Sequence, residues 1–204
     1  LWIIVGLGNP GKKYVHSRHN AGFVFIQRLG DKQNAKLKKR KHSAKTARVK
    51  LTHGPALLVK PWTYMNNSGQ AVREIVERTG VSLDRLLVVY DDLDIPLGEI
   101  RIRKTGGPGT HKGMASIVKE VDSTLFPRIR IGIGPLPPEV DATDFVLSDF
   151  REGERKILEN CLTTAEKAID SMMESGVDEA MNRFNRRPDL SHSPPRKDVS
   201  GLEE

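Results

Sequence analysis

A single cysteine, Cys161, stands in 204 residues. That scarcity excludes an internal disulfide, leaves too few thiolates for a cysteine-ligated metal centre, and points to a reducing compartment. The thiol lies in "KILENCLTTAEKAI", a helical pattern in which a small buried side chain accounts for it. No apolar run approaches the ~20 residues that a membrane-crossing helix needs. No basic-then-apolar leader is visible, so a cytoplasmic protein without a membrane partner is the expectation. Neither H-E-x-x-H nor H-x-x-x-H occurs, so no metal site is expected. Internal repeats and a linker between two cores are absent as well, which leaves one domain.

Positive charge is in surplus. Lys and Arg number 33 against 26 Asp and Glu, a formal +7. Such a balance favours a polyanionic partner, nucleic acid or an anionic surface. The densest run is "KLKKRK", Lys36 to Lys41; it reads either as an RNA contact or as solvated residues beside a hairpin.

The pattern of elements is α/β. "LWIIVGL" reads as a buried strand and "NAGFVFIQRLGDKQ" as a helix with one apolar face. "KTARVKL" and "PALLVKP" suit a hairpin, and "SGQAVREIVERTGV" suits a helix stopped by Gly80. "DRLLVVYDDLD" is a continuous apolar strand running into acids, whereas "GEIRIRK" and "RIRIGIG" alternate. "MASIVKEVDS" and two segments of 151–184 split by Gly176 are helical. Strands interleaved with helices, some alternating and some continuously apolar, predict a mixed twisted β-sheet flanked by helices on both faces. The domain is expected over 1–186, with the polar, Pro-rich 187–204 as a mobile tail.

Behind the first strand, "VGLGNPG" (5–11) spells G-x-G-x-x-G. A dinucleotide site needs the third glycine to open a helix at once, so that its N-terminus meets the pyrophosphate. Here Gly11 leads into "KKYVHSRHN", which has no helical period, and Asp31, at the spacing of the ribose-binding acid, closes a helix. The spacing fits and the context does not. "GGPGTHKGM" fails as a P-loop because His111 precedes Lys112 and Gly113 follows it; it reads as a flexible loop offering N–H groups to an anion.

Polar residues gather at the apparent strand ends: Asn9, His19 and Asn20, Asn66 and Asn67, Asp91 and Asp92, His111. An Asp beside a neutral His makes a general base. Asn side chains can donate to a developing oxyanion or hold a water. Each also has a plainer reading: Asn9 as a turn residue before Pro10, Asp91 and Asp92 as a solvated strand end, and Asn66, Asn67 or Ser68 as a helix cap.

The blocks "VGLGNPGKKYVHSRHNAGF", "KPWTYMNNSGQAV", "VVYDDLDIPLGEIRIRKTGG", "HKGMASI" and "FPRIRIGIG" occur in order along most of the chain. Together they resemble the bacterial-type peptidyl-tRNA hydrolase family. That resemblance implies a monomeric, single-domain α/β enzyme without cofactor or metal. Its activity would be hydrolysis of the ester between a peptide and the 3′ end of tRNA, which recycles tRNA from aborted translation. By position, the family's essential histidine falls on His19, its orienting aspartate on Asp91, and its two site asparagines on Asn9 and Asn66. Tyr14 and Met65 match substrate-pocket residues, and Arg103 and Arg130 match a clamp for the tRNA 5′ phosphate. One position departs from the family: an Asn commonly follows the block's histidine, where this chain has Lys112, a residue suited to a phosphate as a point charge. A non-catalytic RNA-binding protein on the same scaffold is the alternative, with a dinucleotide enzyme behind it.

Overall fold

The computed structural model describes residues 1–39 and 43–185. The end of the basic run, the expected domain boundary and the expected tail lie outside the described residues. Seven strands form one sheet in the order β2-β3-β4-β1-β5-β7-β6. They are β1 (Trp2–Gly6), β2 (Lys38–Lys39), β3 (Ala44–Leu51), β4 (Gly54–Pro61), β5 (Leu86–Pro96), β6 (Ile100–Arg103) and β7 (Arg128–Gly134). β4, β1, β5 and β7 run parallel. β3, with β2 beyond it, and β6 add antiparallel edges. The sheet is mixed, as expected, and "KTARVKL" and "PALLVKP" do form the hairpin.

Period-two alternation divides the core. Ile4 of β1 faces one side with Leu58 and Val89, and α1 (Ala21–Lys32), α5 (Glu152–Ser175) and α6 (Val177–Phe184) cover that face. Ile3 and Val5 face the other side with Leu57 and Val88, under α2 (Ser68–Thr79) and α3 (Lys112–Val121). Each such fully buried aliphatic side chain contributes roughly 1.5–3 kcal/mol of transfer free energy. Gly80 ends α2 with φ 61°, the left-handed conformation that glycine adopts at least cost. A short α4 (Ala142–Leu147) precedes α5; six residues with no buried member leave no apolar stripe to read in a sequence.

Gly6 and Gly8 of "VGLGNPG" serve packing, whereas Gly11 has open space around it and φ 112°. The chain leaves β1, Leu7 bonds to Val89 O, and Phe23 N returns to Leu7 O at 3.0 Å. This brings the first turn of α1 against the strand end. A Cβ on Gly6 would lie 2.1 Å from Gly22 O, and one on Gly22 would lie 2.4 Å from Val89 O and 2.5 Å from Leu7 N. Both contacts are with backbone that cannot yield. After Gly11 comes only the 3-10 turn Lys12–Tyr14, so no long helix is aimed at the loop, as the failed dinucleotide context required. Gly22→Ala is expected to lose about 1–3 kcal/mol or more, a fall of several degrees in Tm checked by thermal unfolding.

Candidate active site

The parallel strands bring their C-terminal ends to one edge, where an open α/β sheet builds its site. β1 delivers the loop carrying Asn9 and, beyond it, the turn Arg18–Asn20 that leads into α1. β4 delivers Tyr64, Met65 and Asn66. β5 ends in Asp91 and Asp92. The loop after β6 supplies Thr105 to His111, and α4 closes the far side through Ala142, Thr143, Val146 and Leu147. These residues line a cleft of about 720 Å³, with Arg103, Lys112, Arg128 and Arg130 also in its wall.

At its centre two imidazoles share one carboxylate. His19 Nδ1 lies 2.8 Å from Asp91 Oδ2, and His111 Nε2 lies 3.1 Å from Oδ1. Asp91 is 2 % exposed. Burial alone would raise its pKa, but the positive charge each imidazole carries when protonated, together with the two hydrogen bonds, holds it well below the usual carboxylate range. The charged form is therefore kept, and the stability it brings is present above the ordinary carboxylate range and lost only as pH falls toward the lowered value.

Hydrogen-bond partners fix the tautomers of the neutral rings. Met114 N–H donates to His111 Nδ1 at 3.2 Å. That nitrogen must carry the lone pair, so His111 holds its proton on Nε2 and donates it to Asp91. His19 likewise donates its Nδ1 proton to the carboxylate, which leaves Nε2 with a free lone pair. His19, Asp91 and His111 are also the one set among the described residues grouped closely enough for a metal ion, within 4.8 Å. The fit is poor. A metal on His111 Nε2 would require a proton on Nδ1, facing the Met114 N–H donor-to-donor.

The asparagines divide their work. Asn9 Oδ1 accepts from Met65 N at 2.8 Å, and Asn9 N and O bond reciprocally to the Asn20 amide at 2.7 and 3.0 Å. Asn9 thus pins the turn that carries Asn66, while its Nδ2 makes no hydrogen bond among the described residues. Asn66 is exposed in the cleft, and its amide makes no hydrogen bond among the described residues. The capping reading fails: neither Asn67 at the N-cap of α2 nor Ser68 makes a side-chain cap bond, and Ser68 Oγ is buried without a partner. Instead Ser116 Oγ, from the neighbouring α3, accepts from Gly69 N at 2.9 Å, because α2 and α3 pack too closely there for a cap of α2's own.

The expected tRNA contacts are partly assembled. Arg103 and Lys112 are exposed on the cleft wall and make no ion pair among the described residues. Lys112 opens α3, two residues earlier than the sequence reading placed the helix. Arg130 is already engaged, with Nε 2.5 Å from Asp92 Oδ2, so an incoming phosphate must share or displace that carboxylate. Met65 lines the cleft; Tyr14 does not, and its ring lies 5.6 Å from Lys13 Nζ. Cys161 is buried as expected, its thiol pushed up to about 12 by burial and then by Glu99, and so inert.

Three residues were missed. His111 was seen only as one of the polar cluster, since a lone histidine after a glycine-rich loop carries no local pattern. Tyr64 is 62 % exposed at the cleft wall; its place next to Met65 was the available signal. Arg128, 1 % exposed, donates to the carbonyls of Gly106, Gly107, Thr124 and Phe126 at 2.5–3.2 Å. It thereby ties the glycine-rich loop to the start of β7, which no pattern of "RIRIGIG" reveals.

A mixed α/β scaffold that gathers a histidine–carboxylate pair, two asparagines and a cationic wall in one cleft fits a hydrolase. The chain matches the family model for peptidyl-tRNA hydrolase over residues 3–192, and it belongs to that family. It is 44 % identical over 183 residues to the peptidyl-tRNA hydrolase of Syntrophomonas wolfei, covering 90 % of this chain and 99 % of that one. It is 46 % identical over 186 residues to that of Carboxydothermus hydrogenoformans, covering 91 % and 99 %. The crystal structure of peptidyl-tRNA hydrolase from Acinetobacter baumannii superimposes with a TM-score of 0.84 at 34 % identity, covering 91 % of this chain and 94 % of that chain.

Proposed function

We propose that this chain hydrolyses the ester linking a peptide to the 3′ end of tRNA, and so returns tRNA from peptidyl-tRNA released during translation. The observation that carries the reading is the free Nε2 lone pair of His19, left by the Asp91 contact, opening on a cleft that also holds Asn66. His19 takes a proton from water and the hydroxide attacks the ester carbonyl. Asn66, with Asn9 Nδ2, donates to the tetrahedral oxyanion. The collapsing intermediate expels the ribose 3′-oxygen, which takes up the proton from His19. General-base help of this kind is worth ~10²–10⁴-fold, and one oxyanion donor ~10²–10³-fold. An alkoxide departs more readily than an amine, so an ester needs neither a covalent nucleophile nor a metal here. The donor-to-donor clash at His111 Nδ1 supports metal independence.

Selection would come from both ends of the substrate. Unengaged amide groups suit a peptide N–H or carbonyl, whereas the ammonium of a free aminoacyl group would strand them. Arg103, Arg130 and Lys112 suit phosphates. The family resemblance implies a monomer. The unpaired Cys161 fits a reducing cytoplasm, and no described helix is long and apolar enough to cross a membrane.

The test is release of an N-acetylated amino acid from tRNA, with and without EDTA. Cleavage in both is expected; binding of tRNA without cleavage would favour the non-catalytic alternative. Arg130→Ala is expected to weaken tRNA binding and to flatten the dependence of log affinity on log salt by about 0.7–0.9. An unchanged slope would assign Arg130 to the Asp92 pair alone.

A further inference from the structure

On the α1 side of the cleft, the sheet holds two lysines where a hairpin would ordinarily avoid them. Lys45 of β3 and Lys60 of β4 are direct cross-strand partners, an arrangement in which like charges repel. Among the described residues neither has a carboxylate partner. Lys60 Nζ bonds to Gln27 Oε1 at 2.9 Å, and Asp31, whose charge favours the Lys60 ammonium without an ion pair, is itself held by Gln27 Nε2. Burial, then the charge of Lys45, lowers Lys60 to about 8.

Aromatic rings lie beneath both ammoniums. Lys45 Nζ is 3.5 Å from the centroid of Trp62, and Lys60 Nζ is 5.4 Å from that of Phe23. The two rings are parallel within 3° at 6.3 Å. Trp62 is partly exposed and stands two residues before Tyr64 of the cleft wall. Phe23 lies directly under Gly8, next to Asn9. The cluster therefore borders the cleft, and it does so on the side away from Arg130. β4 and β7 are separated in the sheet by β1 and β5, about 14 Å at ~4.8 Å per strand spacing.

We propose that Lys45, Lys60 and Trp62 form a second RNA-binding surface, which takes a phosphate of the tRNA backbone between the two ammoniums and a nucleotide base on the indole. The inference rests on the substrate being a tRNA conjugate. Basic side chains over aromatic rings are what a nucleotide unit, charged on one side and planar on the other, fits. An anion between the lysines removes the repulsion that the folded chain otherwise carries. When Lys45 turns to a phosphate, the face of Trp62 is left for stacking. With Arg103 and Arg130 across the cleft, the two basic surfaces straddle the His19 centre, so a polyanion engages both only when it lies across the site; a small phosphorylated metabolite cannot.

The experiment compares wild type with Lys45→Met/Lys60→Met, which keeps the apolar stems, and with Lys45→Gln, which leaves Lys60 packed in place. Binding of deacylated tRNA is measured over a salt series, and hydrolysis is measured on N-acetylaminoacyl-tRNA and on the N-acetylaminoacyl ester of adenosine. The double variant is expected to bind tRNA about tenfold or more weakly near 0.1 M salt, with a slope shallower by about 1.5–2. Lys45→Gln should show about half of that change in slope. The loss of kcat/KM should be confined to the tRNA substrate, and Tm should not fall, because a repelling pair is removed. Unchanged tRNA affinity and slope would overturn the proposal, as would equal losses on the adenosine ester, which is too short to reach the lysines. Failure of wild type to cleave either substrate would instead defeat the catalytic reading, while the tRNA titration would still decide the surface.

Discussion

His19→Ala is expected to abolish most turnover, by about 10²–10⁴-fold in kcat, while tRNA affinity stays within a factor of two or three. The asymmetry follows from the site's layout. The phosphate-facing cations Arg103, Arg130 and Lys112 are held by β6, β7 and the start of α3, and none of them bonds to the His19 ring. The ring is 13 % exposed and its loss opens a small space at the cleft floor, so the fold should persist. Single-turnover cleavage of N-acetylaminoacyl-tRNA, set beside tRNA titration, checks both halves. If kcat were retained, no other described group would be left in the same role: His111 has its Nδ1 occupied by Met114 N–H and its Nε2 proton committed to Asp91.

Much of this site was legible because its parts sit at strand ends, and strand ends can be read from hydrophobic pattern. The run into "YDDLD" puts Asp91 at a C-terminal edge, and the absence of helical period between Gly11 and Asn20 puts His19 on a turn before a helix. The same pattern read no helix directly after Gly11, and the chain there makes only a short 3-10 turn, while Gly6 and Gly22 are small so that a strand end and a helix can touch. The illegible parts depend on contacts between segments remote in sequence. Arg130 meets Asp92 only because β7 lies beside β5. Ser116 caps α2 from another helix. His111 takes its tautomer from the backbone of α3 while its other nitrogen reaches β5. The lysine pair is hidden for the same reason. Lys45 and Lys60 are ordinary in their own segments, and only hairpin register sets them opposite each other.

Asp91→Asn is the second large effect, and its size comes from counting donors. The carboxylate accepts from two N–H groups, one on each oxygen. A carboxamide of the same shape has one acceptor oxygen and one NH2 donor, so one imidazole must surrender its N–H and present a lone pair. His111 cannot do so cheaply, because moving its proton to Nδ1 would set it against Met114 N–H at 3.2 Å. The amide oxygen therefore faces His111 and the NH2 faces His19, whose proton shifts from Nδ1 to Nε2. His19 then points an N–H toward the water it should deprotonate. The expected loss in kcat is about 10³–10⁴-fold, the scale seen when the orienting aspartate of a Ser-His-Asp triad is replaced by asparagine. The variant should match His19→Ala although the His19 ring remains in place, and tRNA affinity should be retained. Nitrogen-15 shifts of the two imidazoles read the tautomers directly: His19 is expected to switch and His111 to stay. A variant in which His111 switches and His19 keeps its Nδ1 proton should retain most of its activity, and that result would place the tautomer lock on the wrong histidine.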